Sequence, residues 1–135
     1  MICVKALIKG EDDIPPFTRF FEYANESDES VFFEAIQMIR QRLSKNLRIN
    51  VHECLMIYLA YVVDQLRANK PIKSIKDNAR KVLSVDRVMI GVPECLKKIT
   101  FEIIIDSNNN SVRKEVINID CPFPPCKYIL LPEGS

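Results

Sequence analysis

Cysteine and histidine are the residues of this sequence that could bind a metal ion or act as nucleophiles. The chain has one histidine, His52, and five cysteines, which are Cys3, Cys54, Cys95, Cys121 and Cys126. A structural zinc site needs four thiolate or imidazole ligands, usually in two close pairs, and here only Cys121 and Cys126 are close. We therefore interpret the cysteines as free thiols in a reducing compartment, some of them buried. A Cys121–Cys126 disulfide across the prolines between them is the main alternative, and metal binding is the third.

The same residues do not form a catalytic pair. His52 and Cys54 lie two positions apart on one predicted helix, so their side chains point to different faces. Adjacent acids at positions 12–13 and 28–29 lie in a predicted loop and at a helix start, where solvation and capping explain them. With only three glycines, the chain has no glycine-rich phosphate loop. We therefore predict no catalytic, cofactor-binding or metal-binding residue in this chain.

Length and composition exclude several classes of protein. At 135 residues the chain fits one domain, and a formal net charge of +1 gives no attraction to nucleic acid or to an anionic membrane surface. No apolar run reaches the roughly 18 residues that span a bilayer, and the N-terminus lacks the features of a signal peptide. We therefore expect a cytoplasmic protein with no nucleic-acid partner and no membrane partner.

Three predicted helices would position any site. The first has Ser27 as its N-cap and ends at Asn46. Its apolar residues recur at helical spacing and are Val31, Phe32, Ala35, Ile36, Met38, Ile39 and Leu43. The second helix opens with Asn50 and Glu53, which have the spacing of a capping box, and ends at Asn69. Short links make these two helices antiparallel neighbours, and a third helix covers about residues 72–83.

Alternating apolar residues predict strands on both sides of the helices. Two strands within residues 98–120 form an antiparallel hairpin, joined by the turn "DSNNNS" at 106–111. A strand at residues 2–8 would add to the edge of that hairpin and protect it. The aromatic segment 17–24 is expected to dock on the helices behind it. The predicted fold class is α+β, with a three-helix bundle followed by an antiparallel β-hairpin.

Two short strings resemble a known family. The strings are "LRIN" at 47–50 and "VMIGVPECL" at 88–96, and they occur in order with a helix of suitable length between them. Together they resemble the gamma subunit of bacterial and archaeal ureases. Asn46 and Asn69 stand where that family usually has glycine, and asparagine is the usual substitute in a left-handed helix cap. The resemblance covers about residues 28–120 of a single domain at 1–135, with residues 1–26 as an atypical N-terminal extension and 121–135 as a proline-rich tail.

The resemblance implies at most a non-catalytic structural subunit of a urea amidohydrolase complex. The chain would pack on urease-type catalytic and beta subunits, and nickel would be held only in the catalytic partner. The alternative is a stand-alone, homo-oligomeric interaction module with no role in a urease. Apolar side chains near both ends of the chain favour association of either kind. These are Phe17, Phe20, Phe21, Tyr128, Ile129, Leu130 and Leu131.

Overall fold

A four-stranded antiparallel sheet supports the helices of the protein. The computed structural model describes residues 1–106 and 111–123. The strands are β1 (Ile2–Lys9), β2 (Phe17–Tyr23), β3 (Lys98–Asp106) and β4 (Val112–Asp120), in the spatial order β2-β1-β3-β4. The helices are α1 (Glu26–Ser44), α2 (Val51–Arg67), α3 (Ile72–Asn78) and α4 (Val92–Cys95), with short 3-10 turns at Ala79–Lys81 and Val85–Arg87. The predicted α+β class and the hairpin of β3 and β4 are confirmed.

The predicted N-terminal strand is confirmed, and it lies in the interior of the sheet. β1 pairs with β3 on one side and with β2 on the other. Its inward side chains, Ile2, Val4, Ala6 and Ile8, are buried, whereas Leu7 points to the opposite face. The alternation is therefore strict, as a strand with one buried face requires.

The aromatic segment at 17–24 contains a strand that the sequence analysis did not predict. Phe21 is buried against the core, while its neighbour Phe20 faces outward and is 74% exposed. Tyr23 contacts Phe32 of α1, with ring centroids 4.8 Å apart. The segment thus docks on a helix as expected, but it does so as the edge strand β2.

Helix α1 differs from its prediction at its start and on its apolar face. Its N-cap is Asn25, not Ser27, because the Asn25 side chain accepts a hydrogen bond from the backbone N–H of Asp28 at 2.9 Å. Val31 and Met38, which we expected on the apolar face, are 63% and 61% exposed. They lie seven residues apart and share a solvated stripe. The buried stripe of α1 is narrower and consists of Phe32, Ile36 and Ile39.

Helix α2 is the centre of the core, and its predicted boundaries are confirmed. The capping box of Asn50 and Glu53 is formed in both directions. Asn46 and Asn69, which follow α1 and α2, have φ values of 61° and 57°, so both adopt the predicted left-handed conformation. The buried residues of α2 include Leu55, Leu59, Val62, Val63 and Leu66, together with Cys54 and Tyr58. None of the helices in the described parts of the chain is long and apolar enough to cross a membrane.

The third helix is shorter than predicted. Regular α-helix ends at Asn78, and the chain continues through the 3-10 turn at Ala79–Lys81. The N–H of Val82 bonds to the carbonyl of Ala79, the tighter spacing that commonly ends a helix. Ile75, Ala79 and Leu83 are nevertheless buried, so this side of the segment faces the core.

Candidate interaction site

The side chains that could perform chemistry are kept apart in the fold. His52 is exposed and stacks on Phe21 with ring centroids 6.0 Å apart, whereas Cys54 is buried. The two residues therefore face different directions, as predicted. Over residues 1–106 and 111–123, no three histidine, cysteine, aspartate or glutamate side chains are grouped so that they could hold a metal ion.

The four described cysteines form no disulfide with one another and lie in contrasting environments. Cys3, Cys95 and Cys121 are half-buried, and Cys54 is fully buried. Burial, with a smaller contribution from the Glu53 carboxylate, raises the pKa of Cys54 to about 12. Cys126 lies outside the described residues, as does the centre of the predicted turn at 107–110, so the proposed Cys121–Cys126 pair is not described.

Cys54 is expected to be unreactive in the folded protein. At pH 8 its thiolate fraction should be about a thousandfold lower than that of an ordinary thiol with a pKa of about 8.5. Titration with a chromogenic disulfide reagent should give the same number of fast-reacting thiols for the parent chain and for Cys54→Ala. The matched variant Cys95→Ala should lose one. A fast-reacting thiol that disappears in Cys54→Ala would contradict the burial of this residue.

The two distinctive strings of the sequence meet in space. The Ile49 N–H donates to the carbonyl of Arg87 at 3.1 Å, and the Met89 N–H donates to the carbonyl of Ile49 at 2.9 Å. These bonds form an isolated parallel bridge between Ile49 and Val88. These two hydrogen bonds hold the residues that precede α2 against the segment that leads into α4. Residues 47–50 and 88–96 are therefore parts of a single structural unit.

This unit has buried anchors and an exposed apolar corner. Ile49, Val88, Val92 and Leu96 are buried and hold both strings to the core. Four exposed residues of the two strings make up what we call the motif corner: Leu47, Arg48, Met89 and Ile90. Ile90 is 94% exposed, and Leu47 and Met89 are about half exposed. Large apolar side chains of this kind, clustered and exposed, are typical of an interaction surface.

Two glycines shape the surroundings of the motif corner. Gly91 has a φ of 93°, and a Cβ added there would meet no atom within 4 Å, so backbone conformation and not space explains the glycine. Gly10 is different, because an added Cβ would lie 2.5 Å from the carbonyl oxygen of Glu94. The β1–β2 loop therefore contacts α4 closely, and the Glu11 N–H bonds to that same oxygen at 2.9 Å.

A shallow depression of about 590 Å³ lies beside the motif corner. Its apolar lining includes Val85 and Pro93, and its polar lining includes Glu11, Asp86 and Lys97. Lys97 and Glu11 are 3.9 Å apart and form a weak ion pair across it. An apolar centre with a charged rim is the usual organisation of a protein–protein contact.

The sequence analysis predicted association through apolar residues near both ends of the chain, and this stays a prediction. Of the apolar residues near the N-terminus, Phe21 is buried, Phe17 is half-buried and Phe20 is exposed. The apolar residues of the tail, at 128–131, lie outside the described part of the chain. The sequence analysis did not single out the motif corner, because no helical or strand period marks it. The available signal was Ile90 itself, a large apolar residue in a string with no regular secondary structure.

These observations define the protein as an α+β domain whose most distinctive strings form an exposed apolar corner. The sequence model of the family described as "Urease, gamma subunit" matches residues 23–113. The urease subunit gamma of Halalkalibacterium halodurans is 32% identical over 77 residues, which are 57% of this chain and 77% of that protein. The chain belongs to the urease gamma subunit family. The predicted resemblance is thus confirmed, and the matched segment begins at the last residue of β2, so that β1 lies outside it.

Proposed function

We propose that this protein is a non-catalytic structural subunit of a urease-type complex. It would pack on a nickel-containing catalytic subunit, and a beta subunit would be a further partner in the cytoplasm. In this proposal nickel belongs to the catalytic partner and the present chain contributes shape and contact area. The observation that carries the proposal is that the strings typical of the family meet at an exposed apolar corner, not in the core.

The motif corner has the physical properties that such a contact requires. Burial of a large apolar side chain contributes roughly 1.5–3 kcal/mol, and Ile90 is almost fully available for burial by a partner. Arg48 and Asp86 beside it are exposed and can be paired at the rim of an interface, where charges add specificity. The buried anchors Ile49 and Val88 fix the backbone in advance, which lowers the entropic cost of binding.

Replacement of Ile90 by aspartate is expected to weaken binding to the catalytic subunit at least tenfold. A carboxylate at the centre of an apolar contact must be desolvated without a partner, at a cost of at least about 1.4 kcal/mol. Binding would be measured by surface immobilisation of the nickel-containing urease catalytic subunit from the same organism. The matched control is Met38→Asp, which introduces the same charge at an exposed apolar position of α1.

The outcomes separate the proposal from its alternative. Equal loss of binding in Ile90→Asp and Met38→Asp would show that the motif corner is not the contact. If the parent chain does not bind the catalytic subunit at all, the stand-alone interaction module replaces the structural subunit. The free energies of unfolding of both variants would be measured in urea and are expected to lie within about 0.5 kcal/mol of the parent. Such values would exclude a loss of fold as the cause.

A further inference from the structure

The face of the sheet that points away from the helices is a second surface, which shares no residue with the motif corner. The inner face is buried beneath the helices, whereas no described helix or loop covers the outer face. Phe20 and Val116 are 74% and 61% exposed there, and a groove of about 480 Å³ lies between them. Half of this surface comes from β1 and β2, which lie almost entirely outside the segment matched by the family.

The register of the strands arranges the outer residues in rows across the sheet. The first row reads Glu22, Cys3, Ile104, Lys114 in the order β2-β1-β3-β4. The second row, in the same order, reads Phe20, Lys5, Glu102, Val116. These two rows are antisymmetric about their centres. A charged residue on β2 or β1 has a residue of opposite charge at the equivalent position on β4 or β3. An apolar residue likewise has an apolar residue at the equivalent position.

This antisymmetry is what a two-fold axis requires. If a second copy packs face to face about an axis that runs along the strands between β1 and β3, each row meets its own reverse. Lys5 then faces Glu102 of the second copy, and Glu102 faces its Lys5. By the same operation Glu22 faces Lys114, and Phe20 faces Val116. We infer that the outer face of the sheet is a self-association surface that forms a two-fold symmetric dimer of this chain.

The charges support the same arrangement, and the third row is compatible with it. Thr18, Leu7, Thr100 and Asn118 form this row, in which Thr18 would meet Asn118 at the outer strands and Leu7 would meet Thr100 at the inner strands. Lys5, Glu102, Glu22 and Lys114 are all exposed, and no ion pair among the described residues involves any of them. They are therefore available to a second copy. A fourth row with Lys9 and Lys98 lies beyond the end of β2, at the solvated edge, where like charges are screened.

The size of the surface predicts a weak dimer. Four strands at a spacing of roughly 4.8 Å, paired over a length of roughly 23 Å, present about 440 Å² per copy. Two copies would bury about 900 Å², which is below the usual range for stable complexes and fits a dissociation constant on the order of micromolar. Aligned sheets pack with their strands within about 30° of each other, so the central rows remain opposite one another.

The test uses two charge-reversal variants. Each should weaken dimerisation when it is alone, and an equimolar mixture of the two should restore it. In Lys5→Glu, two glutamates meet across the interface twice, and in Glu102→Lys two lysines do so. Each variant alone should therefore dimerise at least about tenfold more weakly than the parent chain. In an equimolar mixture, the glutamate introduced at position 5 of one chain meets the lysine introduced at position 102 of the other. The remaining contact pairs the unchanged Glu102 of the first chain with the unchanged Lys5 of the second. Sedimentation velocity of the mixture should therefore show a dimer as stable as that of the parent chain.

Mixing cannot repair a defect in folding, so recovery would be specific to the interface. Three results would overturn the inference. They are a parent chain that remains monomeric at about 100 μM, roughly a hundred times the expected dissociation constant, single variants that dimerise as strongly as the parent, or a mixture that stays monomeric. A monomeric parent is also the outcome expected if another part of the chain covers this face. If either variant unfolds at lower urea concentration, Glu22→Lys and Lys114→Glu provide an independent pair for the same experiment. Because the motif corner is untouched, binding to a catalytic subunit should be unchanged in all four variants.

Discussion

Replacing Glu53 with alanine is expected to lower the free energy of unfolding by about 3 kcal/mol, from the sum of a lost helix cap and a lost charged hydrogen bond. Glu53 is only 8% exposed, and its carboxylate is shared by two elements. One oxygen accepts from the backbone N–H of Asn50 at 3.0 Å, and the other forms an ion pair with Arg42 of α1. A single side chain thus caps α2 and joins it to α1.

Urea unfolding followed by circular dichroism would measure this loss, with a fall in melting temperature of roughly 10 °C for a chain of this size. Glu53→Gln is the matched control, because the amide oxygen can still accept from Asn50 while the ion pair is lost. It should cost about 2 kcal/mol. A double-mutant cycle with Arg42→Ala separates the two contributions. If alanine and glutamine cost the same, the capping bond to Asn50 would contribute nothing measurable.

The features that sequence reasoning predicted best are those that depend on neighbouring residues. The capping box of Asn50 and Glu53 and the left-handed caps at Asn46 and Asn69 all form as predicted. Each depends on a side chain and on backbone groups within a few positions, so the sequence contains the whole interaction. The difference between the predicted and the observed start of α1 also has a local cause. Asn25 and Ser27 are both good caps, and local preference alone does not choose between them.

The mistaken and missed elements depend on contacts between distant residues. Helical spacing shows that α1 has apolar residues on two sides, but only the packed structure shows that Val31 and Met38 face solvent. The strand β2 has an irregular alternation, with exposed and half-buried residues at its start. Its identity depends on pairing with β1. The interior position of β1 likewise depends on β3, some hundred residues further along the chain.

The candidate site was predictable in its residues but not in its assembly. Both strings were recognised as informative, yet 47–50 and 88–96 are separated by the whole of α2 and α3. Their contact through Ile49 and Val88 is a tertiary one. The exposure of Ile90 follows from that contact, because the buried residues on both sides of it fix the direction of the loop. Periodicity in the sequence contains no information on such an irregular segment.

Deletion of residues 1–24 is expected to prevent folding altogether. The deletion removes β1, an interior strand, and β2, and with them five buried apolar side chains, which are Ile2, Val4, Ala6, Ile8 and Phe21. The four larger side chains alone contribute roughly 6–12 kcal/mol of burial. That is comparable to the entire stability of a typical domain, about 5–15 kcal/mol. The truncated chain should show no cooperative urea transition and poorly dispersed amide resonances, whereas the parent chain should show a cooperative transition and well-dispersed resonances.

The matched control for the deletion is the double variant Asp12→Ala and Asp13→Ala. Both aspartates are exposed in the β1–β2 loop, so their replacement should leave stability within about 0.5 kcal/mol of the parent. A truncated chain with a cooperative transition and native helical circular dichroism would contradict the prediction. It would mean that the helices and the β3–β4 hairpin can cover their own apolar faces. The geometry argues otherwise, since removal of β1 leaves β3 without a partner on one edge. The segment matched by the family would therefore be only part of the folding unit of this chain, which must include the strands before it.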